Sequence, residues 1–409
     1  MSLTFFQNQI NPEVLSTFFG SKSMFQPRQP EKYAPTFGEF YEIAGEETEW
    51  TPGENSYTLR TVIPPNGNRV KDIWFEFTMS AITAGAGSFD AGVDVLCFHD
   101  DLFYGMFEEA RLVKGGKIYE RVRLRPEHLR EMHTEMDQRK NLYDERGWFG
   151  SEAACNAAAR AAKTYRVKLP FEFCKEFYKS LRIDKLGNGV TIELKSNPKS
   201  QWTYSSDAGI TSATFTITNF HMIMEYYLLS DSEISSLSAN TLSFPYQHAE
   251  ELSSGSFTAS GAASTEHQIE LNFQHPLRAF FVVLSDSTYD GYDKYWHSED
   301  DTKIEKAALK ADGKWKWEQL DWVWWTKILP SRIGYRANNN VGIFPATWAL
   351  NSPVETSILD CSKLRHVYLH IWTTAAATFD YFIFGIVPNI MSYTSGPGGE
   401  STITSMYPR

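Results

Sequence analysis

One rhythm runs through most of this 409-residue chain. Short runs rich in Val, Ile, Thr, Phe and Tyr recur every ~8–12 residues and are broken by Gly, Pro and Asn, the pattern of an antiparallel sandwich or barrel. Residues 57–63 are strand-like and end in the turn Pro64-Pro65-Asn66-Gly67-Asn68. In 70–79, Ile73, Phe75, Phe77 and Met79 oppose Lys71, Asp72, Trp74 and Glu76, giving one strand with a dry face and a wet one. Further strands are read at 93–98, 164–167, 190–194 and 213–229. The format then starts again, with strands at 268–273, 279–284, 304–309, 364–372 and 378–387 and turns at His275-Pro276 and Asp312-Gly313. Two passes through one format predict two sandwiches in tandem.

Three segments depart from the rhythm. Residues 1–35 read as an N-terminal arm. Asn11-Pro12-Glu13 carries a cap residue, a proline for the first helical position and an acid for the first turn. Val14, Leu15, Phe18 and Phe19 follow at one-face spacing and Gly20 supplies a stop, so a short amphipathic helix is expected. That helix either docks on its own domain or reaches a neighbouring subunit, an internal membrane or a minor protein; residues 26–30 then form an extended linker. Residues 126–164 are charged and then Ala-rich, and predict a helical insertion between two strands. Residues 230–240 are polar and Ser-rich and mark the boundary between sandwiches, placed at 36–232 and 233–392. Residues 393–409 are expected to be a tail, with an edge strand as the alternative reading for this Ser/Gly/Pro-rich end.

Composition removes several function classes. The net charge is −11 and no basic arm is present, whereas nucleic-acid binding rests on clustered Lys and Arg; no direct nucleic-acid contact is expected. The four cysteines, Cys97, Cys155, Cys174 and Cys361, lie too far apart in sequence for a zinc or redox pair and fit a reducing compartment. The first residues lack the charged-then-apolar pattern of a signal peptide, and no apolar run approaches the ~20 residues that span a bilayer. The expectation is a soluble chain made inside a cell. Aromatics are 15% of residues, including 12 Trp and 28 Phe, enough ring area for two cores and for large protein interfaces.

No catalytic constellation emerges. Glu108-Glu109 and Glu131, Glu135, Asp137 are acidic, but nothing pairs two carboxyls in one cleft as a glycosidase needs. His366 and His370 sit four residues apart, which is ~13 Å along a strand and too far for a shared metal. Asp290, Asp293, Glu299, Asp300 and Asp301 match no calcium-loop spacing and read as a solvated loop. Gly-rich 396–400 has no strand-then-helix context and reads as tail. No cofactor, no metal and no enzymatic activity are expected. Trp315, Trp317, Trp322, Trp324 and Trp325 form an aromatic cluster, read either as loop core or subunit contact, or as a platform for stacking on sugars. The candidate interaction residues are therefore Val14, Leu15, Phe18, Phe19, Trp322, Trp324 and Trp325.

Four stretches carry a family likeness. Residues 167–173 resemble a Leu-Pro-Phe-x-Phe segment, and 190–194 with 213–229 a closing strand pair that exits through Glu225-Tyr226. Residues 273–283, with His275-Pro276 followed by Leu277-Arg278, are similar to the entry into a second jelly roll; 343–353 and 359–364 resemble the segment before its last strands. Trp348 and Cys361-Ser362-Lys363 depart from that last pattern. In this order the stretches resemble the double jelly-roll major capsid proteins of adenovirus hexons, nucleocytoplasmic large DNA viruses, virophages and polinton-like viruses. The resemblance implies a mainly β fold of two tandem antiparallel eight-stranded jelly-roll sandwiches, with a short helical insertion in the first. It implies a homotrimeric, pseudo-hexameric capsomer of an icosahedral virion, assembled in host cytoplasm or nucleus. Partners would be neighbouring capsomers, penton and minor capsid proteins, and an internal membrane where one exists. The alternative function is a jelly-roll carbohydrate-binding or spike protein.

Overall fold

A computed structural model describes residues 37–47, 49–86, 94–134, 143–175, 179–186, 188–206, 212–229, 242–261, 264–272, 274–294, 296–332, 340–346, 359, 364, 366–395 and 401–405. Among the described residues, sixteen strands form the main paths of four principal sheets. The first eight are β1 Phe37–Ala44, β2 Thr58–Ile63, β3 Arg69–Met79, β4 Phe107–Lys114, β5 Lys117–Arg123, β6 Lys163–Lys168, β7 Val190–Ser196 and β8 Ile217–Leu228. The second eight are β9 Leu242–Ser260, β10 Thr265–Leu271, β11 Ala279–Asp286, β12 Ile304–Ala311, β13 Lys314–Asp321, β14 Gly342–Pro345, β15 Val367–Thr373 and β16 Ala376–Ser395. The sheets of the first set run β1-β8-β3-β6 and β2-β7-β4-β5; those of the second run β9-β16-β11-β14 and β10-β15-β12-β13. Adding eight to every number in the first set gives the second. Every pairing is antiparallel, so one eight-strand wrapping is made twice.

The sequence pattern explains which strand goes where. In β3 the residues Ile73, Phe75, Phe77 and Met79 are buried while Asp72, Trp74, Glu76 and Thr78 are half-buried, as the alternation predicts for a sheet with one covered face. Strand β11 reads Ala-Phe-Phe-Val-Val-Leu without alternation, and all six residues are buried. That pattern requires cover on both faces, which the seam described below supplies. Two hairpins turn through pairs of positive-φ residues, Gly115-Gly116 (57°, 76°) between β4 and β5 and Asp312-Gly313 (52°, 76°) between β12 and β13. Such two-residue turns match the twist of the flanking strands, and glycine adopts them without Cβ strain.

Helices occupy the connection from β5 to β6: α1 Leu124–Thr134, then Tyr143–Arg146, then α2 Glu152–Ala159. Ser151 caps α2 by accepting a hydrogen bond from the Ala154 amide. The matching connection from β13 to β14 opens with a wide helical turn, Trp324–Ile328, and a short helix, Leu329–Arg332. At the chain's end Ser401–Ser405 pairs with Met391–Ser395 of β16, so part of the expected tail is an edge strand. Strand β13 corrects another expectation: Trp315 and Trp317 lie on a strand, because the turn before them folds 314–321 back on β12. The proposed helix at 11–20, with Val14, Leu15, Phe18 and Phe19, lies outside the described residues, as does Cys361.

Candidate assembly surfaces

The two sandwiches meet along a dry seam. Ala279, Phe281 and Val283 of β11, Ile343 of β14 and Phe384 and Ile386 of β16 belong to the same buried cluster as the first sandwich's core. Their neighbours Phe280, Val282, Leu284, Phe344, Ile383 and Val387 point the other way, into the second sandwich's own core. The second sandwich's sheet is thus a wall shared by two cores. Phe281 and Phe384, cross-strand partners on its outer face, stack with centroids 4.8 Å apart. From the first sandwich, β5 and α1 cover this wall. Arg123 pairs with Glu251, and the Arg125 guanidinium sits 4.5 Å from the Phe382 ring centroid.

One end of the seam carries a buried polar cluster. Asp101 precedes the helix Leu102–Met106 in a left-handed conformation, φ 56°, that a non-glycine residue adopts at a cost of about 1–2 kcal/mol. Its carboxylate is fully buried and accepts from Arg146 and, at 2.6 Å, from His128 Nδ1 on α1. Arg146 also reaches Glu131 at 3.0 Å, and the Tyr104 hydroxyl donates to Glu131 at 2.9 Å. The second sandwich closes the cluster: Trp296 lies 3.8 Å from His128, ring centroid to centroid. Burial holds the His128 imidazole below its ordinary range even though Asp101 favours its charged form. Next to it, the His99 ring donates from Nδ1 to the Tyr292 carbonyl at 2.8 Å, and burial brings its pKa down to about 4. Asp100 accepts from the Phe149 and Gly150 amides, yet burial pushes its carboxyl up to about 6. Sequence reading did not find this cluster, because Asp101, His128 and Arg146 lie far apart in the first sandwich's sequence and Trp296 comes from the second.

Among the described residues the counterpart surfaces are partly exposed. On the outer face of the first sandwich's β1-β8-β3-β6 sheet, Phe40 is 66% exposed. Ile223, Trp74 and Tyr227 are half-buried on the same face, with Ile223 directly opposite Trp74. Beyond β13, Trp324 is 38% and Ile328 37% exposed, one helical turn apart. The candidate tryptophans therefore divide. Trp322 and Trp325 are fully buried; they donate to the carbonyls of Glu299 and Ala307 and fill the second core, where Trp325 stacks on Phe344 at 4.1 Å. Only Trp324 of the three is available to a partner.

Glu135 and Asp137 lie outside the described residues, and most of the other acidic and histidine candidates sit in ion pairs and hydrogen bonds. Glu109 is buried between Arg111 and Arg121, which together hold its carboxyl below the usual range against the upward push of burial. Burial likewise works against the ionised form of Glu172, and Lys175 and Lys179 bring it down to about 2. His370 points Nδ1 at Glu266, 2.5 Å away, and packs on Trp315. Asp293 accepts from the Tyr289 hydroxyl, Glu299 pairs with Lys303, and Asp300 accepts from Thr302. Among the described residues no group of three or more His, Cys, Asp or Glu is placed to hold a metal, and no helix is long and apolar enough to cross a membrane.

No protein-family model and no curated protein matches the chain. Solved structures do. The capsid of the virus PBCV-1 matches with a TM-score of 0.72 at 14% identity, over 95% of this chain and 100% of that one. The Faustovirus major capsid protein matches at 0.64 and 10% identity, over 88% and 91% of the two chains. The mavirus major capsid protein matches at 0.54 and 13% identity, over 99% and 95%. Shared topology at so low an identity is a statement about fold, and with the doubled strand order and the common wall it gives the conclusion: this chain has the double jelly-roll fold of viral major capsid proteins.

Proposed function

We propose that the chain is a major capsid protein whose copies associate as trimers into pseudo-hexameric capsomers of an icosahedral DNA virus shell. One observation carries the reading. The molecule is two sandwiches of one topology joined by a large dry contact, so three copies present six similar lobes. A closed shell needs rigid blocks that tile, and six-lobed blocks tile hexagonally; sandwiches supply flat walls and leave their end loops free to vary. The role in this reading is structural, and the buried carboxylates of Asp101, Glu109 and Glu172 are held by Arg, Lys and His. The place of action is the virion. The partners are further copies, penton and minor capsid proteins, and an internal membrane where the virus has one.

The test is mass and shape together. Light scattering on the purified chain should give about 140 kDa, three times the 46.7 kDa chain, and electron micrographs should show six-sided particles. A stable monomer at tens of micromolar would overturn the proposal.

A further inference from the structure

At the polar end of the seam, one imidazole sits where its uncharged form fits best. His128 on α1 is fully buried. Its Nδ1 donates to Asp101 at 2.6 Å, and its Nε2 has no hydrogen-bond partner among the described residues. Three rings surround it. Trp296 comes from the second sandwich, with centroids 3.8 Å apart; Tyr104 and Trp148 come from the first, at 5.2 and 5.8 Å. Of the charged groups around it, Asp101 and Glu131 both pair with Arg146, whose Nη2 lies 3.4 Å from His128 Nδ1. Glu127, one residue back along α1, is held by Arg130 and Lys175. The second sandwich presents the uncharged Trp296 indole. The charged neighbours of that indole are engaged with other groups: Lys294 with Asp290, Asp293 with the Tyr289 hydroxyl, and His297 with Glu299.

A second proton on this ring would go to Nε2, a dry position with no acceptor. Burial disfavours the imidazolium and Arg146 adds to that, outweighing the pull of Asp101 and Glu131 and holding the ring below its ordinary range. Such an imidazole stabilises the closed seam fully above the ordinary value of 6.5 and less and less as pH falls toward its folded pKa. The adjacent pair, His99 at about 4 and Asp100 at about 6, act in opposite senses and offset each other between those values. Within that window His128 sets the slope.

We propose that this cluster is an acid-released latch between the two sandwiches. Protonation of His128 places a cation and an unmet donor under Trp296, the indole leaves, and water enters this end of the seam. The dry contact that β11, β14 and β16 make with the first core holds the rest, so the joint opens at one end while the lobes stay attached. Release also frees Asp101 from its left-handed conformation. The latch lies within a single chain and depends on neither a trimer nor a shell. In a shell it would keep each block stiff at neutral pH and loosen it in an acidified compartment.

The experiment is hydrogen–deuterium exchange on the full chain at about pH 6 and about pH 5, the window in which His99 and Asp100 offset each other, corrected for the intrinsic pH dependence of exchange. In the wild type, peptides covering Asp101, His128 and Trp296 should exchange up to about tenfold faster at the lower pH, the linkage of one proton over one unit. Peptides of β11 and β16 should keep their protection. His128→Gln offers Asp101 a donor and does not titrate, so its exchange at the same sites should be the same at both pH values. His128→Phe, which fills the site and does not titrate, repeats the comparison if His128→Gln fails to fold. Equal exchange of the wild type at the two pH values would overturn the latch. So would an acid response that survives in His128→Gln or His128→Phe, or one shared equally by β11 and β16, which would be unfolding of the whole wall. The oligomer's mass plays no part in this readout, so its failure leaves the trimer reading where light scattering puts it.

Discussion

The Trp296 indole of the second sandwich donates its Nε1 hydrogen to the carbonyl oxygen of Asp100 in the first, 2.7 Å away. The bond is buried, links residues 196 positions apart, and sets the indole against His128. Trp296→Ala should therefore cost about 3–5 kcal/mol, the range for deleting a large buried ring, and should cost it at the seam. Urea unfolding followed by circular dichroism should resolve two transitions in the variant where the wild type has one. A single transition with unchanged midpoint would show that the indole does not join the halves.

Two neighbours in this seam respond to acid in opposite senses. The folded His99 has a pKa of about 4 against 6.5 for a free imidazole. Its stabilising effect is complete above pH 6.5 and drains away as pH falls through 4, at about 1.4 kcal/mol per unit. Folded Asp100 has a pKa of about 6 against 3.8. Its contribution is complete below 3.8 and is lost as pH rises through 6. Between pH 6 and 4 the two slopes oppose. Asp100→Asn should lose thermal stability faster than the wild type on acidification across that window, and His99→Gln should lose it more slowly. Parallel melting curves for all three proteins would refute the assignment.

Gly342 begins β14 against the Trp322 ring, and a Cβ there would overlap the indole. Gly342→Ala should displace Trp322 and cost about 1–3 kcal/mol through overpacking, with a change in tryptophan emission. Trp324→Ala, by comparison, should cost a single copy less, since that side chain is 38% exposed. Equal destabilisation by the two would contradict the burial pattern.

The Gly115-Gly116 turn sets the register of β4 and β5, and with it the position of α1 on the wall. Gly116→Val places a β-branched residue at φ 76° with no steric contact nearby, so backbone strain alone acts. A loss of about 1–2 kcal/mol is expected in chemical denaturation. No loss would mean the turn relaxes to another type.

Much of the wrapping was legible in the chain. The alternation in β3 located a half-covered sheet, and the unbroken run in β11 marked a buried strand. Strand β9 escaped notice because its outward positions are Ser, Glu and Gly, which resemble a loop; it is held by pairing along β16 from Leu242 to Ser260 rather than by side-chain periodicity. The Trp315–Trp317 stretch looked like a loop for the opposite reason, since aromatics and lysines alternate on a strand at the sheet's edge. The seam cluster was hidden by distance. Asp101 and His128 share no local pattern although both belong to the first sandwich, and Trp296 joins them by crossing from the second.

That crossing has a consequence for synthesis on the ribosome. The backbone amide of Asp100 and the ring of His99 both turn to the Tyr292 carbonyl, and the Asp100 carbonyl to Trp296. A nascent chain that has just completed β8 still lacks these partners. Its first lobe must wait, with one end unfinished and its α1 side bare, until some seventy further residues have been translated and cleared the exit tunnel. Folding of the leading half is thereby tied to delivery of the trailing half, and a message truncated between them would release a product with an exposed oily flank, ready to aggregate or be degraded.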